Sequence, residues 1–110
     1  MKETTGYITV TPEEFSKEIR LPEDYLLDVR TKEEFDGGHI GGAHNLDVTA
    51  PDFEERAKRE LPKNKRIAVY CGSGKRSAKA SQDLSAEGFK VVNLDGGLAA
   101  WIAAGLPVVN

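Results

Sequence analysis

The chain has 110 residues, 39% of them hydrophobic and 30% charged, which supports one packed domain over residues 1–110 and argues against a disordered chain. Its formal net charge of -3 excludes a general nucleic-acid binder, because no basic excess is available to neutralise phosphates. The single cysteine excludes an internal disulfide, and no apolar run is long enough to span a bilayer.

Short apolar runs alternate with helical patterns, the signature of an α/β protein with a parallel sheet of about five strands and helices on both faces. Tyr7 to Val10 reads as a first strand. Thr11, Pro12 and Glu14 then supply an N-cap, a proline at the first helical position and a capping-box glutamate. Phe15 and Ile19 face inward, and Pro22 marks the end. Tyr25 to Val29 is a nearly continuous apolar strand suited to burial on both faces. Thr31 and Glu34 form a second capping box for a short helix closed by Gly37 and Gly38. Ala43 to Leu46 is a short strand. Phe53, Ala57 and Leu61 share a helix face, closed by Pro62. Ile67 to Tyr70 is the next strand. Ser77, Ala80, Ser81 and Leu84 form a narrow small-residue helix face, with Gly88 as its C-cap. Val91 to Leu94 is the last strand, and a final helix turns Leu98, Trp101 and Ile102 inward before Gly105.

The chemistry concentrates after the strand that ends at Tyr70. Cys71 closes that apolar run instead of lying inside it. Gly72 and Gly74 allow a tight curve in which successive N–H groups converge on one point, an anion-binding nest. Lys75, Arg76 and Ser77 add charge and a hydroxyl at a helix start, where unpaired N–H groups and the helix dipole favour an anion. A sulfur there is biased toward thiolate, the reactive form.

Two chemistries use a thiolate in such a cradle. One is phosphate-ester hydrolysis through a cysteinyl phosphate. The tyrosine-phosphatase signature places its arginine six positions after the cysteine, whereas Arg76 stands five after Cys71. The shorter ring of amides fits a tetrahedral phosphate poorly, and the loop holds no aspartate acid. The other is sulfur transfer, in which the thiolate accepts a sulfane sulfur and holds it as a persulfide whose charge the amides and cations stabilise.

The same segment is one of a series. Leu27-Asp28-Val29-Arg30 is followed by Glu34-Phe35-Asp36-Gly37-Gly38-His39-Ile40 and Gly42-Ala43-His44-Asn45-Leu46. After Tyr70-Cys71-Gly72-Ser73-Gly74-Lys75-Arg76-Ser77 come Asn93-Leu94-Asp95-Gly96-Gly97, Trp101 and Gly105-Leu106-Pro107-Val108. From about Thr9 to Val108 this order resembles a single-domain rhodanese, a sulfurtransferase. The resemblance implies that Cys71 is the nucleophile that carries the persulfide. It implies that Gly72, Ser73, Gly74, Lys75, Arg76 and Ser77 bind the substrate anion, with Arg76 and Ser77 orienting the sulfur. Asp28 and Arg30 are implied beside the loop, where ion pairing braces it. The expected partners are a small anionic sulfur donor such as thiosulfate and a thiophilic acceptor: cyanide, a thiol or a protein. No cofactor, metal, nucleic acid or membrane is expected, and the chain is expected to be a monomer. The rival expectation is a non-turnover sulfur carrier or regulatory binding module of the same fold.

Two positions depart from the family pattern. Gly72 stands where many members have arginine, which lowers the charge near the mouth. Gly41 stands where the family has proline after His39-Ile40, which loosens that turn. His39 and His44 match no metal-ligand spacing and are expected to hydrogen-bond near the sheet edge. Asp28, Arg30 and Glu34 are expected as one structural ion-pair cluster, and Asp95-Gly96-Gly97 as a turn before the last helix. The charged run from Glu54 to Glu60 is expected as a solvated face. The start, Met1 to Gly6, lacks the apolar run of a secretory signal, so a cytoplasmic location is expected, or a periplasmic one if a signal segment was removed.

Overall fold

Thr11 and Thr31 each stand three residues before a glutamate, and both close full capping boxes. Thr11 Oγ1 accepts from the Glu14 N–H at 3.1 Å, while Glu14 Oε1 accepts from the Thr11 N–H at 2.9 Å. Thr31 and Glu34 repeat the exchange at 3.3 and 3.1 Å. These caps open α1 (Pro12–Glu18) and α2 (Lys32–Asp36). The structure is a computed structural model and describes residues 2–4 and 6–110.

Its strands are β1 (Lys2–Thr4), β2 (Tyr7–Val10), β3 (Tyr25–Asp28), β4 (His44–Asn45), β5 (Ile67–Tyr70) and β6 (Val91–Leu94). They form one sheet in the order β1-β2-β6-β5-β3-β4. The five expected strands run parallel. A sixth, β1, adds antiparallel to β2, with Lys2 opposite Thr9 and Thr4 opposite Tyr7. Its sequence carries no apolar run, so nothing in the residue pattern announced it. Strand β4 is shorter than the expected Ala43–Leu46, because it lies at the sheet edge and pairs only Leu27 with His44 and Asp28 with Asn45.

Helices cover both faces. Beneath α3 (Phe53–Glu60) and α4 (Lys75–Ala86) pack Leu27, Val29, Ile67, Val69 and Val91. The other face buries Leu26, Ala68, Tyr70, Val92 and Leu94 against Phe15 of α1 and Leu98 and Trp101 of α5 (Gly97–Ala103). Trp101 meets Phe15 edge-on at 6.1 Å and donates from Nε1 to the Pro107 carbonyl at 2.8 Å. Ile102 departs from expectation and is 53% exposed. The face through Leu98 and Trp101 leaves the next residue about 100° round the helix, toward solvent.

The small-residue face of α4 does what its composition requires. Ser77, Ala80 and Ser81 are all fully buried, and Leu84 is 1% exposed. Small side chains bring the helix down onto β5 and β6, so its first turn sits over the end of β5. The chain leaves β3 outward to β4, then returns through β5 and continues the other way to β6. The connections leaving β3 and β5 therefore diverge, and a crevice opens beyond their carboxyl ends. Among the described residues no helix is long and apolar enough to cross a membrane.

Ala80 is a direct measure of that close approach. Ala80→Leu is expected to cost about 1–3 kcal/mol through overpacking, read as a lower urea midpoint at unchanged m-value.

Candidate active site

Strand alternation sends Ile67, Val69 and Cys71 to one face and Ala68 and Tyr70 to the other. Cys71 is the first residue past β5, so the alternation aims its thiol under the start of α4. The sulfur lies at the floor of the loop rather than at its mouth, and Cys71 has 0% solvent exposure.

What surrounds the sulfur is decided by peptide planes. The Cys71 carbonyl accepts from the Leu98 N–H at 2.8 Å, and the Gly72 carbonyl accepts from the Ala99 N–H at 3.0 Å. Both carbonyls are thereby held toward α5. In a trans peptide the N–H points opposite to the C=O, so the amides of Gly72 and Ser73 turn away from α5, into the loop. The Gly74 N–H completes the curve and donates to Cys71 Sγ at 3.0 Å. Gly74 adopts φ +101°, the left-handed conformation glycine reaches without strain, and then serves as N-cap of α4.

Opposed effects act on the thiol. Burial pushes its pKa up, while the Ser77 hydroxyl and the N–H groups of Ser77, Gly74 and Ser73 pull it down. The donors win, and the pKa falls below the usual 9.0. The Ser77 hydroxyl has one proton. It rests on the Gly74 carbonyl at a long 3.3 Å, close enough to turn to the sulfur as that ionises.

The expected Asp28–Arg30–Glu34 cluster divides into two pairs. Asp28 and Arg30 are both buried, and Arg30 Nη2 lies 2.8 Å from Asp28 Oδ2 with Nε within 3.1 Å of both carboxylate oxygens. Arg30 also donates to the Gly38 carbonyl at 2.6 Å, joining the end of β3 to the turn after α2. Asn45 ties down the same corner, donating to the carbonyls of Asp28 and Arg30 at 3.1 and 2.9 Å. Glu34 instead pairs with Arg76, at 2.7 Å to Nη1 and 2.9 Å to Nη2. The Arg76 hydrogen bonds, partly offset by desolvation, and the Thr31 contacts hold the Glu34 carboxyl at about 2. The guanidinium expected to face an anion is thus matched by a carboxylate.

Gly72 and Gly97 have steric reasons to be glycine. A Cβ on Gly72 would lie 3.3 Å from Arg76 Nη2 and 3.9 Å from Arg30 Cδ, which places both arginines beside the loop. A Cβ on Gly97 would lie 2.5 Å from the Cys71 carbonyl oxygen and 2.7 Å from the Gly72 carbonyl. The Asp95-Gly96-Gly97 turn is therefore the backing of the loop as well as the start of a helix. A glycine pair before a helix signals a turn, but not which segment passes behind it. His39 and His44 stand apart from the sulfur's surroundings. His39 stacks on Phe35 at 3.8 Å with Nδ1 2.8 Å from its carbonyl oxygen, and His44 stacks on Tyr25 at 4.3 Å.

Comparison with known proteins bears on this geometry. The profile of the rhodanese-like domain matches residues 11–104. The chain is 36% identical over 102 residues to a sulfurtransferase of Allochromatium vinosum, covering 91% of this chain and 92% of that one. It is 42% identical over 91 residues to thiosulfate sulfurtransferase 16, chloroplastic, of Arabidopsis thaliana, covering 74% and 76%. A rhodanese-related protein from Thermoplasma volcanium superposes with a TM-score of 0.78 at 29% identity, covering 94% and 98%.

Two consequences are measurable. Gly97→Ala combines a strained positive φ with a clash against two carbonyls, so it is expected to cost about 1–3 kcal/mol. It also turns the loop amides away and raises the Cys71 pKa, followed by ultraviolet absorbance of the thiolate against pH. Glu34 has a folded pKa of about 2 against an ordinary 4.5. Its pair is at full strength above pH 4.5 and is lost as pH falls toward 2. The stability gap between the wild type and Glu34→Gln is expected to close over that interval in urea titrations.

Proposed function

The chain belongs to the rhodanese-like domain family, and from that premise we propose that it moves a sulfane sulfur from thiosulfate or a similar donor to a thiophilic acceptor through a persulfide on Cys71. The observation that carries this reading is the sulfur itself, a thiol of lowered pKa that accepts from the Gly74 N–H at 3.0 Å among further loop donors. In the first half-reaction the Cys71 thiolate attacks the outer sulfur of thiosulfate. The new S–S bond forms as the old one breaks, and sulfite leaves with the electron pair. The persulfide's terminal sulfur carries the negative charge, which the amides from Gly72 to Gly74 and the Ser77 hydroxyl stabilise. In the second half-reaction the acceptor attacks that terminal sulfur and returns Cys71 as thiolate. Cyanide would leave as thiocyanate, and a cellular thiol as its own persulfide.

Each remaining residue takes a supporting part. Lys75 is exposed and meets the donor anion at the mouth. Ser73, also exposed, is the residue that must part from the sulfur to admit the donor, and the flanking glycines allow the movement. Asp28 and Arg30 brace the floor of the crevice. Asp28 is fully engaged by Arg30, which disfavours it as the acid that phosphate-ester hydrolysis would call for.

Complete burial of Cys71 favours a second reading, in which the persulfide is formed, shielded and handed to a partner protein without free turnover. Intact mass after incubation with thiosulfate tests the covalent step. One added sulfur atom is expected on the wild type and none on Cys71→Ser, whose thiocyanate formation falls by roughly a thousandfold or more. A Cys71→Ser protein that turns over normally would refute both readings. Saturable turnover with cyanide separates the enzyme from the carrier, which would hold a stable persulfide instead.

A further inference from the structure

One ion pair beside the loop is left unused by the persulfide chemistry. Glu34 grips Arg76 through both carboxylate oxygens, at 2.7 and 2.9 Å. The carboxylate is itself fixed, because Oε1 also accepts from the Thr31 N–H and the Thr31 hydroxyl, each at 3.1 Å. It therefore stands on the first turn of α2 as a rigid fixture rather than swinging on its stem. Arg76 is drawn across the loop toward it. The space above Gly72 is taken by this pair, since a Cβ there would lie 3.3 Å from Arg76 Nη2 and 3.9 Å from Glu34 Oε2. Any side chain at position 72 would meet the guanidinium.

The charges around the mouth then add up simply. Arg30 is matched by Asp28, and Arg76 by Glu34. Of the loop's cations, Lys75 alone makes no ion pair among the described residues. A loop with two basic residues thus offers one uncompensated positive charge to an incoming donor.

We propose that Glu34 is a specificity-determining residue: held by Thr31 and paired with Arg76 across Gly72, it cancels the guanidinium charge, so that the loop takes singly charged sulfane donors, thiosulfonates and persulfides, in preference to doubly charged thiosulfate. This rests on the Cys71 persulfide reading and names the substrate class of the same site. The covalent step is common to both donor classes. The thiolate attacks the outer sulfur, one S–S bond forms as another breaks, and sulfite or a sulfinate or thiolate leaves with the electron pair. No oxidant or external proton enters. The donors differ by one negative charge on the leaving half, which lies at the mouth during attack. That charge meets a neutral pair while Glu34 is present and, when it is not, an unpaired guanidinium on which Asp47 acts only at longer range. One unit charge acting over a few ångströms near a protein surface changes binding by about tenfold.

The test compares kcat/KM for thiosulfate, a dianion, with kcat/KM for methanethiosulfonate, a monoanion, at low ionic strength with cyanide as acceptor. Glu34→Gln suits it because glutamine at the same helix position still closes the capping box with Thr31. That variant is expected to raise the thiosulfate-to-methanethiosulfonate ratio about tenfold, chiefly through the KM for thiosulfate, with the gain shrinking as salt is added. Arg76→Gln, which leaves the carboxylate unpaired, is expected to move the ratio the other way. A role confined to bracing the loop lowers both donors equally. A ratio unmoved in both folded variants, while intact mass shows wild-type Cys71 taking sulfur from both donors, overturns the assignment of Glu34 and leaves the persulfide reading standing. Failure of wild-type Cys71 to take sulfur from either donor overturns the reading and the assignment together.

Discussion

Two carbonyl groups decide the character of the loop. The Leu98 and Ala99 amides hold the carbonyls of Cys71 and Gly72 against the start of α5. Peptide planarity then turns the opposite ends of those planes away from α5 and into the loop, where the Ser73 N–H joins the donors around the sulfur. The cradle is therefore set by a helix on the far side of the sheet from the helix that the thiol faces. Gly97 makes this possible, since the two backbones pass closer there than any side chain allows. The alternation of β5 does the rest by aiming Cys71 at the α4 face.

Burial and polarity are in balance at that point. Taking a thiolate out of water is costly, and burial alone would leave Cys71 a neutral, inert thiol. Hydrogen bonds to a charged acceptor each recover about 1.5–3 kcal/mol. Several converge here, and the net effect is a lowered pKa. The buried Asp28–Arg30 pair follows the same logic. Such a pair roughly offsets its own desolvation, so its contribution is geometric. It fastens the end of β3 to Gly38, and with it the wall that carries Arg30 past Gly72.

The parts of the molecule written in local patterns were readable in advance. The capping boxes at Thr11 and Thr31, the small face of α4 and the apolar runs of β2, β5 and β6 depend on residues a few positions apart. Cys71 and its glycines were readable for the same reason, because the loop is built from contiguous chain. What escaped was non-local. Glu34 reads from the sequence as a capping residue and as a member of an ion-pair cluster with Asp28 and Arg30, and nothing near it announces Arg76, 42 residues later, as its partner. Gly97 looked like a turn residue, because its neighbour in space is the far end of another strand. Strand β1 (Lys2–Thr4) has no hydrophobic signature in its sequence, so only its pairing with β2 reveals it. Ile102 is apolar by residue type and borders the inward face, yet its angular position on the helix turns it to solvent.

The thiol's isolation has a chemical consequence of its own. Cys71 is the one cysteine in the sequence, and the surrounding chain covers it completely. A low-pKa thiol is a target for peroxide, and the first product, a sulfenic acid, is ordinarily rescued by condensation with a second thiol. No second thiol exists in these 110 residues, so the domain itself offers no cysteine for that condensation. Steric cover is then the intrinsic defence of the thiol, and any opening that exposes it to a reactant also exposes it to an oxidant.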